Sequence, residues 1–297
     1  MKSKHFTLGV AVIIVIIITI LAQSYLKIDS ADPDWVKDFN YDASQIHDIS
    51  VGFLNPCPFI PVKIGDKKFK LLFDTGNGEG LFLTSALKGK ADYEITGKTT
   101  ELNADGSYRG EGELVVLKNL TIFNEEFSNV HSSLSDWRMH GFFKINGGIG
   151  LKYFQNKVVT IDYKNKKIAV RNEALDYRNL GNDRYVLIPL ISSDLSKEKD
   201  LLFFQGEING VKSTIYLDTG STRSSLNPDD NKDTEIGVKL GDKEYRFKSR
   251  KLKHDKIGFQ GNFEYPLRFA INSDLLKANH FVITIDKIDN NLIIYKN

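Results

Sequence analysis

A six-residue stretch that occurs twice constrains this chain more than any other feature in it. Leu71-Leu72-Phe73-Asp74-Thr75-Gly76 returns as Ile215-Tyr216-Leu217-Asp218-Thr219-Gly220. In both copies three largely apolar residues lead into Asp-Thr-Gly, the pattern of a buried strand that delivers a polar turn. The triplet alone is a weak signal, because its three residue types are common. Its flanks strengthen it. Ten residues before each Asp stands an isoleucine, Ile64 or Ile208, followed by Gly65-Asp66-Lys67-Lys68 or Asn209-Gly210-Val211-Lys212. Both segments read as a strand, a tight turn and a second strand running into the Asp.

A second matched pair extends the repeat. Val158-Val159-Thr160-Ile161-Asp162 precedes a lysine-rich turn and Ile168-Ala169-Val170. Val282-Ile283-Thr284-Ile285-Asp286 precedes a polar turn and Leu292-Ile293-Ile294-Tyr295. Each is predicted to be a β-hairpin that closes its half of the chain. The sequence therefore implies an internal duplication of a mostly-β unit, roughly 120 residues per copy. Asp162 and Asp286, matched within these hairpins, read as turn formers and not as a second acid site.

Composition narrows the function classes. A chain of 297 residues with 41% hydrophobic content can bury one large or two smaller cores. Its 40 basic and 38 acidic side chains are spread along the chain and leave a net charge of +2. That argues against a nucleic-acid partner, for which a clustered basic face is expected. A single cysteine, Cys57, excludes an internal disulfide and reads as a small buried residue. His47, His131, His140, His254 and His280 show no metal-ligand spacing, so neither a metal nor a cofactor is expected.

The N-terminus carries the one targeting signal. Lys2 and Lys4 precede Phe6 to Ala22, an uncharged run of 17 residues dominated by Ile and Val. That is short for a transmembrane helix and long for the core of a signal peptide. Ile20 stands where cleavage after Ala22 would require a small residue, which favours an uncleaved anchor over a removed signal. Positive charge ahead of the span places the N-terminus in the cytoplasm and the body on the extracytoplasmic side. The expected organisation is a stub and anchor over 1–23, a polar tether over 24–48 with a short helix around Trp35 to Phe39, and two lobes over 49–176 and 177–297. Within the lobes, Glu101 to Val116 has glycines at 106, 110 and 112 and suits a mobile hairpin. Thr234 to Tyr265 is rich in Lys and Arg. It reads as the solvated face of a hairpin, with a surface that steers an acidic partner or touches anionic headgroups as the alternative.

Two carboxylates brought by a duplicated unit to a pseudo-twofold axis lie side by side. Like charges that close cannot both ionise, so the pair holds one proton and titrates as a unit. The ionised member can take a proton from water while the protonated member donates to a carbonyl oxygen. Thr75 and Thr219 can lock the two loops through hydroxyl–backbone bonds. Gly76 and Gly220 let main chain approach with no Cβ in the way.

On these residues the chain from about 49 to 297 resembles the aspartic proteases of the pepsin and retropepsin superfamily, in their single-chain form. That family is the long-established example of a shared-proton dyad. The resemblance implies an all-β, two-lobed acid-protease fold with duplicated β-barrel-like lobes, set behind the N-terminal transmembrane helix. It implies catalytic Asp74 and Asp218, supported by Thr75, Gly76, Asn77, Thr219, Gly220 and Ser221. The apolar-apolar-Gly thread that the family runs behind each loop is matched at Gly148-Ile149-Gly150. At Ala270-Ile271-Asn272 an Asn stands in the glycine place, which its tolerance of unusual backbone angles would allow. Ser221 fits the small residue the family favours after the triplet. Asn77 does not, and its amide is expected to bond the outer oxygen of Asp74 instead. Asp105 to Gly110 resembles a glycine-rich flap tip, with Gly106, Ser107 and Tyr108 as candidate substrate contacts. The family's flap tyrosine would fall near Asn103, so Tyr108 is either its substitute or an exposed strand residue. The compact repeat looks retropepsin-like and suggests a bacterial, membrane-anchored relative. The expected function is an aspartic endopeptidase, a monomer acting on peptide or protein substrates of the envelope or cell surface. The alternative is a membrane-anchored peptide-binding module that keeps the cleft and has lost turnover.

Overall fold

The computed structural model describes residues 33–102, 108–135, 145–177, 180, 184–194, 200–230, 234–259 and 261–296. The apolar run Phe6 to Ala22 lies outside them. Among the described residues no helix is long and apolar enough to cross a membrane. The chain divides into Met1–Asn40 and Tyr41–Asn297. The described part of the first unit holds a short helix, α1 (Asp34–Asp38), inside the expected tether. The Pro33 carbonyl accepts the Val36 N–H at 2.9 Å to start it.

The second unit is built almost entirely of strands, as the all-β reading expects. Its first half runs through β1 (Ile46–Asp48), β2 (Ser50–Val51), β3 (Pro58–Ile64), β4 (Lys67–Phe73), β5 (Leu81–Thr84) and β6 (Tyr93–Leu102). It continues with β7 (Tyr108–Ile122), β8 (Glu125–Ser135), β9 (Gly147–Ile149), β10 (Val158–Asp162) and β11 (Lys167–Arg171). The second half contributes β12 (Tyr185–Pro189), β13 (Leu202–Ile208), β14 (Val211–Asp218), β15 (Ser225–Leu226) and β16 (Glu235–Leu240). It ends with β17 (Lys243–Lys248), β18 (Lys253–His254), β19 (Leu267–Asn272), a helix α2 (Ser273–Ala278), β20 (Phe281–Asp286) and β21 (Asn291–Lys296). One sheet takes β2 to β9, a second takes β13 to β19, and a third draws on both halves.

The repeat is visible in hydrogen-bond register. In the β3–β4 hairpin Phe59 faces Leu72, and in β13–β14 Phe203 faces Tyr216. Each pair is the other displaced by 144 residues, the offset between Thr75 and Thr219. The turns follow from residues that accept left-handed backbone: Gly65 at φ +57° in one, Asn209 and Gly210 at +50° and +79° in the other. The second strand of each hairpin is then covered by a parallel neighbour. Phe73 lies beside Ile149 of β9, and Leu217 beside Ile271 of β19. Strands flanked this way read as unbroken apolar runs, which is why Leu71-Leu72-Phe73 and Ile215-Tyr216-Leu217 lack alternation.

The third sheet runs β1-β11-β10-β20-β21-β12, an order that reads the same from either end of the repeat. β10 and β20 pair antiparallel about Thr160↔Thr284, with Val158↔Asp286 and Asp162↔Val282 at equal distances on either side. That register is a local twofold. At its centre Thr160 Oγ1 and Thr284 Oγ1 are 2.7 Å apart, and the Tyr41 hydroxyl lies 2.8 Å from Thr160 Oγ1. Asp162 and Asp286 have the turn role expected of them. Asp162 Oδ1 accepts the N–H groups of Lys164 and Asn165, and Asp286 Oδ1 those of Ile288 and Asp289. The sheet begins earlier than the sequence suggests, because Ile46–Asp48, assigned to the tether, pairs with Lys167–Ala169. A three-residue strand is too short to leave a periodic signal.

The basic run of the second half forms the β16–β17 hairpin, with Lys239 near Glu207 at 3.7 Å and Arg246 near Glu244 at 3.3 Å. These exposed pairs, worth about 0–1 kcal/mol each, describe a solvated face. The buried threonine pair offers a test of the third sheet. Thr160→Val removes one oxygen and leaves the Tyr41 and Thr284 hydroxyls buried without it. The expected loss is about 1–3 kcal/mol of unfolding free energy in a denaturant titration, and an unchanged midpoint would contradict this geometry.

Candidate active site

Asp74 and Asp218 stand at the ends of β4 and β14, in loops that meet across the repeat. Their meeting is fixed by two threonines. The Thr75 N–H donates to Thr219 Oγ1 at 3.1 Å, and the Thr219 N–H donates to Thr75 Oγ1 at 3.0 Å. Each hydroxyl in turn donates to a strand carbonyl of the opposite half: Thr75 to Leu217 O at 3.0 Å, Thr219 to Phe73 O at 2.7 Å. Both residues are fully buried. Four reciprocal hydrogen bonds therefore pin the two loops, with no water to compete for them.

The glycines explain how close the loops come. A Cβ on Gly220 would stand 2.1 Å from Asp74 Cγ and Oδ1, and one on Gly76 would stand 2.8 Å from Asp218 Cγ and Oδ1. Each glycine thus makes room for the carboxyl of the other half, while its own N–H binds the carboxyl of its own. Gly76 donates to Asp74 Oδ1 at 2.9 Å and Gly220 to Asp218 Oδ1 at 2.8 Å. Behind the loops, Asp74 N donates to Ile149 O at 2.9 Å, and Gly150 has no room for a side chain against Asn77 O.

The two carboxyls lie within hydrogen-bonding reach of each other, and a pair in that contact is stable when it holds a proton between them. Burial pushes the Asp74 pKa well above the usual carboxylate value, and the charge of Asp218 adds to it. Burial also raises Asp218, but the Gly220 N–H, the bond from Asp74 and the Ser221 N–H oppose the rise. Burial and mutual repulsion therefore keep one proton on the pair where a free carboxyl would be ionised. Both residues keep some contact with solvent, so water can reach them.

Other expected site residues fall as follows. Ser221 contributes its backbone N–H to Asp218. Asn77 does not bond the outer oxygen of Asp74 as expected. Its Nδ2 reaches Gly148 O at 3.4 Å while its Oδ1 accepts the Glu79 N–H at 3.1 Å, a local turn contact that holds the amide away. Asn272 adopts ordinary extended backbone, φ −120° and ψ 177°, so the tolerance invoked for it is not used. Instead its Nδ2 donates to Arg223 O at 2.8 Å and its N–H to Ser224 Oγ at 2.9 Å. Tyr108 is 64% exposed with its hydroxyl 3.4 Å from Glu111, an exposed strand residue. Gly106 and Ser107 lie outside the described residues.

Three residues at the site carry no recognisable motif. Arg109, the neighbour of Tyr108 on β7, lies within charge reach of Asp74 and lowers its pKa. Its own pKa is brought down to about 10, chiefly by burial, while Glu101, Glu79 and Asp74 hold it up. Alternation along the strand turns Tyr108 and Arg109 to opposite faces, a signal available in sequence. Cys57, almost fully buried, donates its thiol to Gly220 O at 3.4 Å. Burial and the two carboxylates push that thiol up, so it stays protonated and inert. Ser273 donates to Thr219 O at 2.7 Å and accepts from the Tyr163 hydroxyl at 2.9 Å, bracing the second loop from α2. Among the described residues no cluster of three His, Cys, Asp or Glu side chains could hold a metal ion.

No protein-family model matches the chain, and no curated protein matches it either.

The dyad has a cost that pH should expose. A carboxyl whose pKa is raised by folding holds its proton more tightly in the folded chain. Its stabilisation is full below the ordinary carboxylate range and is lost as pH rises through the folded-state titration. Asp74→Asn keeps an acceptor for the Gly76 N–H and removes the charge. The variant should melt above the native chain at neutral pH, with the gap closing as pH falls through the carboxylate range. Equal melting temperatures at neutral pH in a calorimetric series would contradict the shared-proton assignment.

Proposed function

We propose that the chain is an aspartic endopeptidase of the pepsin and retropepsin type, two-lobed and single-chain. The observation that carries the reading is the close approach of Asp74 and Asp218, each against the glycine of the opposite loop, clamped by reciprocal threonine contacts. On this reading ionised Asp218 accepts a proton from a water held between the carboxyls. Protonated Asp74 donates to the oxygen of the scissile carbonyl, and the water oxygen bonds to its carbon. The tetrahedral species collapses when Asp218 passes its proton to the amide nitrogen, the C–N bond breaks, and one hydroxyl of the diol returns its proton to Asp74 to leave the carboxylic acid. The buried loops supply preorganisation, since neither carboxyl has to move between these steps. Arg109 and the β6–β7 hairpin border the Asp74 side, consistent with an extended peptide lying across both halves.

The place of action follows from the N-terminal sequence. Lys2 and Lys4 ahead of Phe6 to Ala22 support a single-pass anchor with the catalytic body outside the cytoplasmic membrane, near envelope or surface substrates. One experiment addresses both parts. Full-length chain in membranes of intact cells is offered a peptide library from outside, beside Asp218→Asn. The native chain should cleave, and the variant should lose about 10²–10⁴-fold in kcat/KM because the single remaining carboxyl cannot be acid and base at once. Cleavage at the native rate by Asp218→Asn would end the paired mechanism. Peptide binding without cleavage by the native chain would favour the binding-module alternative. Activity seen only after the cells are lysed would overturn the topology.

A further inference from the structure

Beside the dyad the repeat stops being symmetrical. Leu72 and Tyr216 each stand two residues before their Asp, so the strand period gives them the face that the Asp uses. Each belongs to a small apolar cluster separate from the main core. Leu72 packs with Cys57 and Ile145, while Tyr216 packs with Leu201, Phe203 and Ala270. The first cluster is wholly apolar around Leu72; the second carries a phenol. The Tyr216 ring is held in place, stacked on Phe203 at 5.2 Å between centroids and edge-on to Phe259 at 4.7 Å.

The hydroxyl is aimed at the dyad. It lies 2.7 Å from the point where a Cβ on Gly76 would stand, and Asp218 Oδ1 lies 2.8 Å from that same point. The residue is 4% exposed, and its hydroxyl is not among the fully buried side-chain oxygens left without a partner, so its tip is open to whatever occupies the site. A hydroxyl at the edge of the site is available to bond a group that enters it. Burial, together with the charges of Asp218 and Asp74, holds its pKa well above the ordinary phenol value, so it remains an O–H donor.

We propose that Tyr216 is a specificity-determining residue whose hydroxyl bonds the tip of a substrate side chain flanking the scissile bond on the Asp218 side. The side chain it selects has an apolar body, to lie against the aromatic cluster, and a neutral hydrogen-bonding tip, with tyrosine foremost. An acidic tip would meet the charge of Asp218, and a basic one would pair with it and remove the base. Leu72 leaves the Asp74 side selective for a purely apolar residue.

The inference rests on the endopeptidase reading for the position of the bond cut, so the test separates the two. Peptides that differ only as Tyr or Phe at either flanking position are offered to the native full chain and to Tyr216→Phe, as a double-mutant cycle. The native chain should prefer the Tyr peptide at one position by roughly tenfold in kcat/KM, the worth of one good hydrogen bond. Tyr216→Phe should bring the two peptides level. Asp74→Asn, which retains the Asp218 charge, should rank the same peptides in the same order by Kd. A Tyr preference that survives in Tyr216→Phe, or none in the native chain, overturns the inference and leaves the endopeptidase reading intact. Binding by the native chain that depends on Tyr216, with no cleavage, does the reverse.

Discussion

The structure depends on the contact between Thr75 and Thr219. Each residue gives its hydroxyl proton to a strand carbonyl of the other half and accepts the backbone N–H of its counterpart. All four bonds are buried, so breaking one strands a polar group in low dielectric instead of handing it to water. That makes the contact stiff enough to oppose the repulsion it creates. Two carboxyls held side by side destabilise the fold at neutral pH, and the clamp keeps them there. Gly76 and Gly220 set the spacing, since any side chain would collide with the opposite Asp.

A twofold clamp alone would produce two equivalent acids, whereas hydrolysis needs one acid and one base. The surroundings separate them. Asp218 has the Ser221 backbone N–H turned to its carboxyl, while the corresponding N–H of Asn77 donates to the Asp74 main-chain carbonyl at 3.1 Å. Arg109 borders Asp74, and the Tyr216 hydroxyl borders Asp218, where the other side has Leu72. Environments that push two titrations apart assign the roles of a carboxylate pair. The same duplication thus supplies geometry by its symmetry and chemistry by its departures from it.

Much of this was legible in sequence because it is local. Strand–turn–strand patterning gave the hairpins that deliver Asp74 and Asp218, and the matched Asp162 and Asp286 announced turns. What escaped depends on long-range pairing. The three residues of β1 become a strand only because β11 is there to receive them. Cys57 gains its contact with Gly220 from across 163 residues of chain. Arg109, not its neighbour Tyr108, comes within charge reach of Asp74, because alternation along β7 separates their faces. Asn77 and Asn272 have roles set by distant carbonyls, Gly148 O and Arg223 O, that claim their amides and leave no local pattern.

The central claim is that Asp74 and Asp218 share one proton. The direct measurement is a pH titration of the aspartate carboxyl carbons by NMR, with Asp74→Asn and Asp218→Asn assigning the pair. The account predicts two resonances that move together in coupled steps, one of them above the ordinary carboxylate range, and a single remaining titration in either variant. Two independent titrations at the ordinary value, unchanged when the partner is replaced, would contradict it.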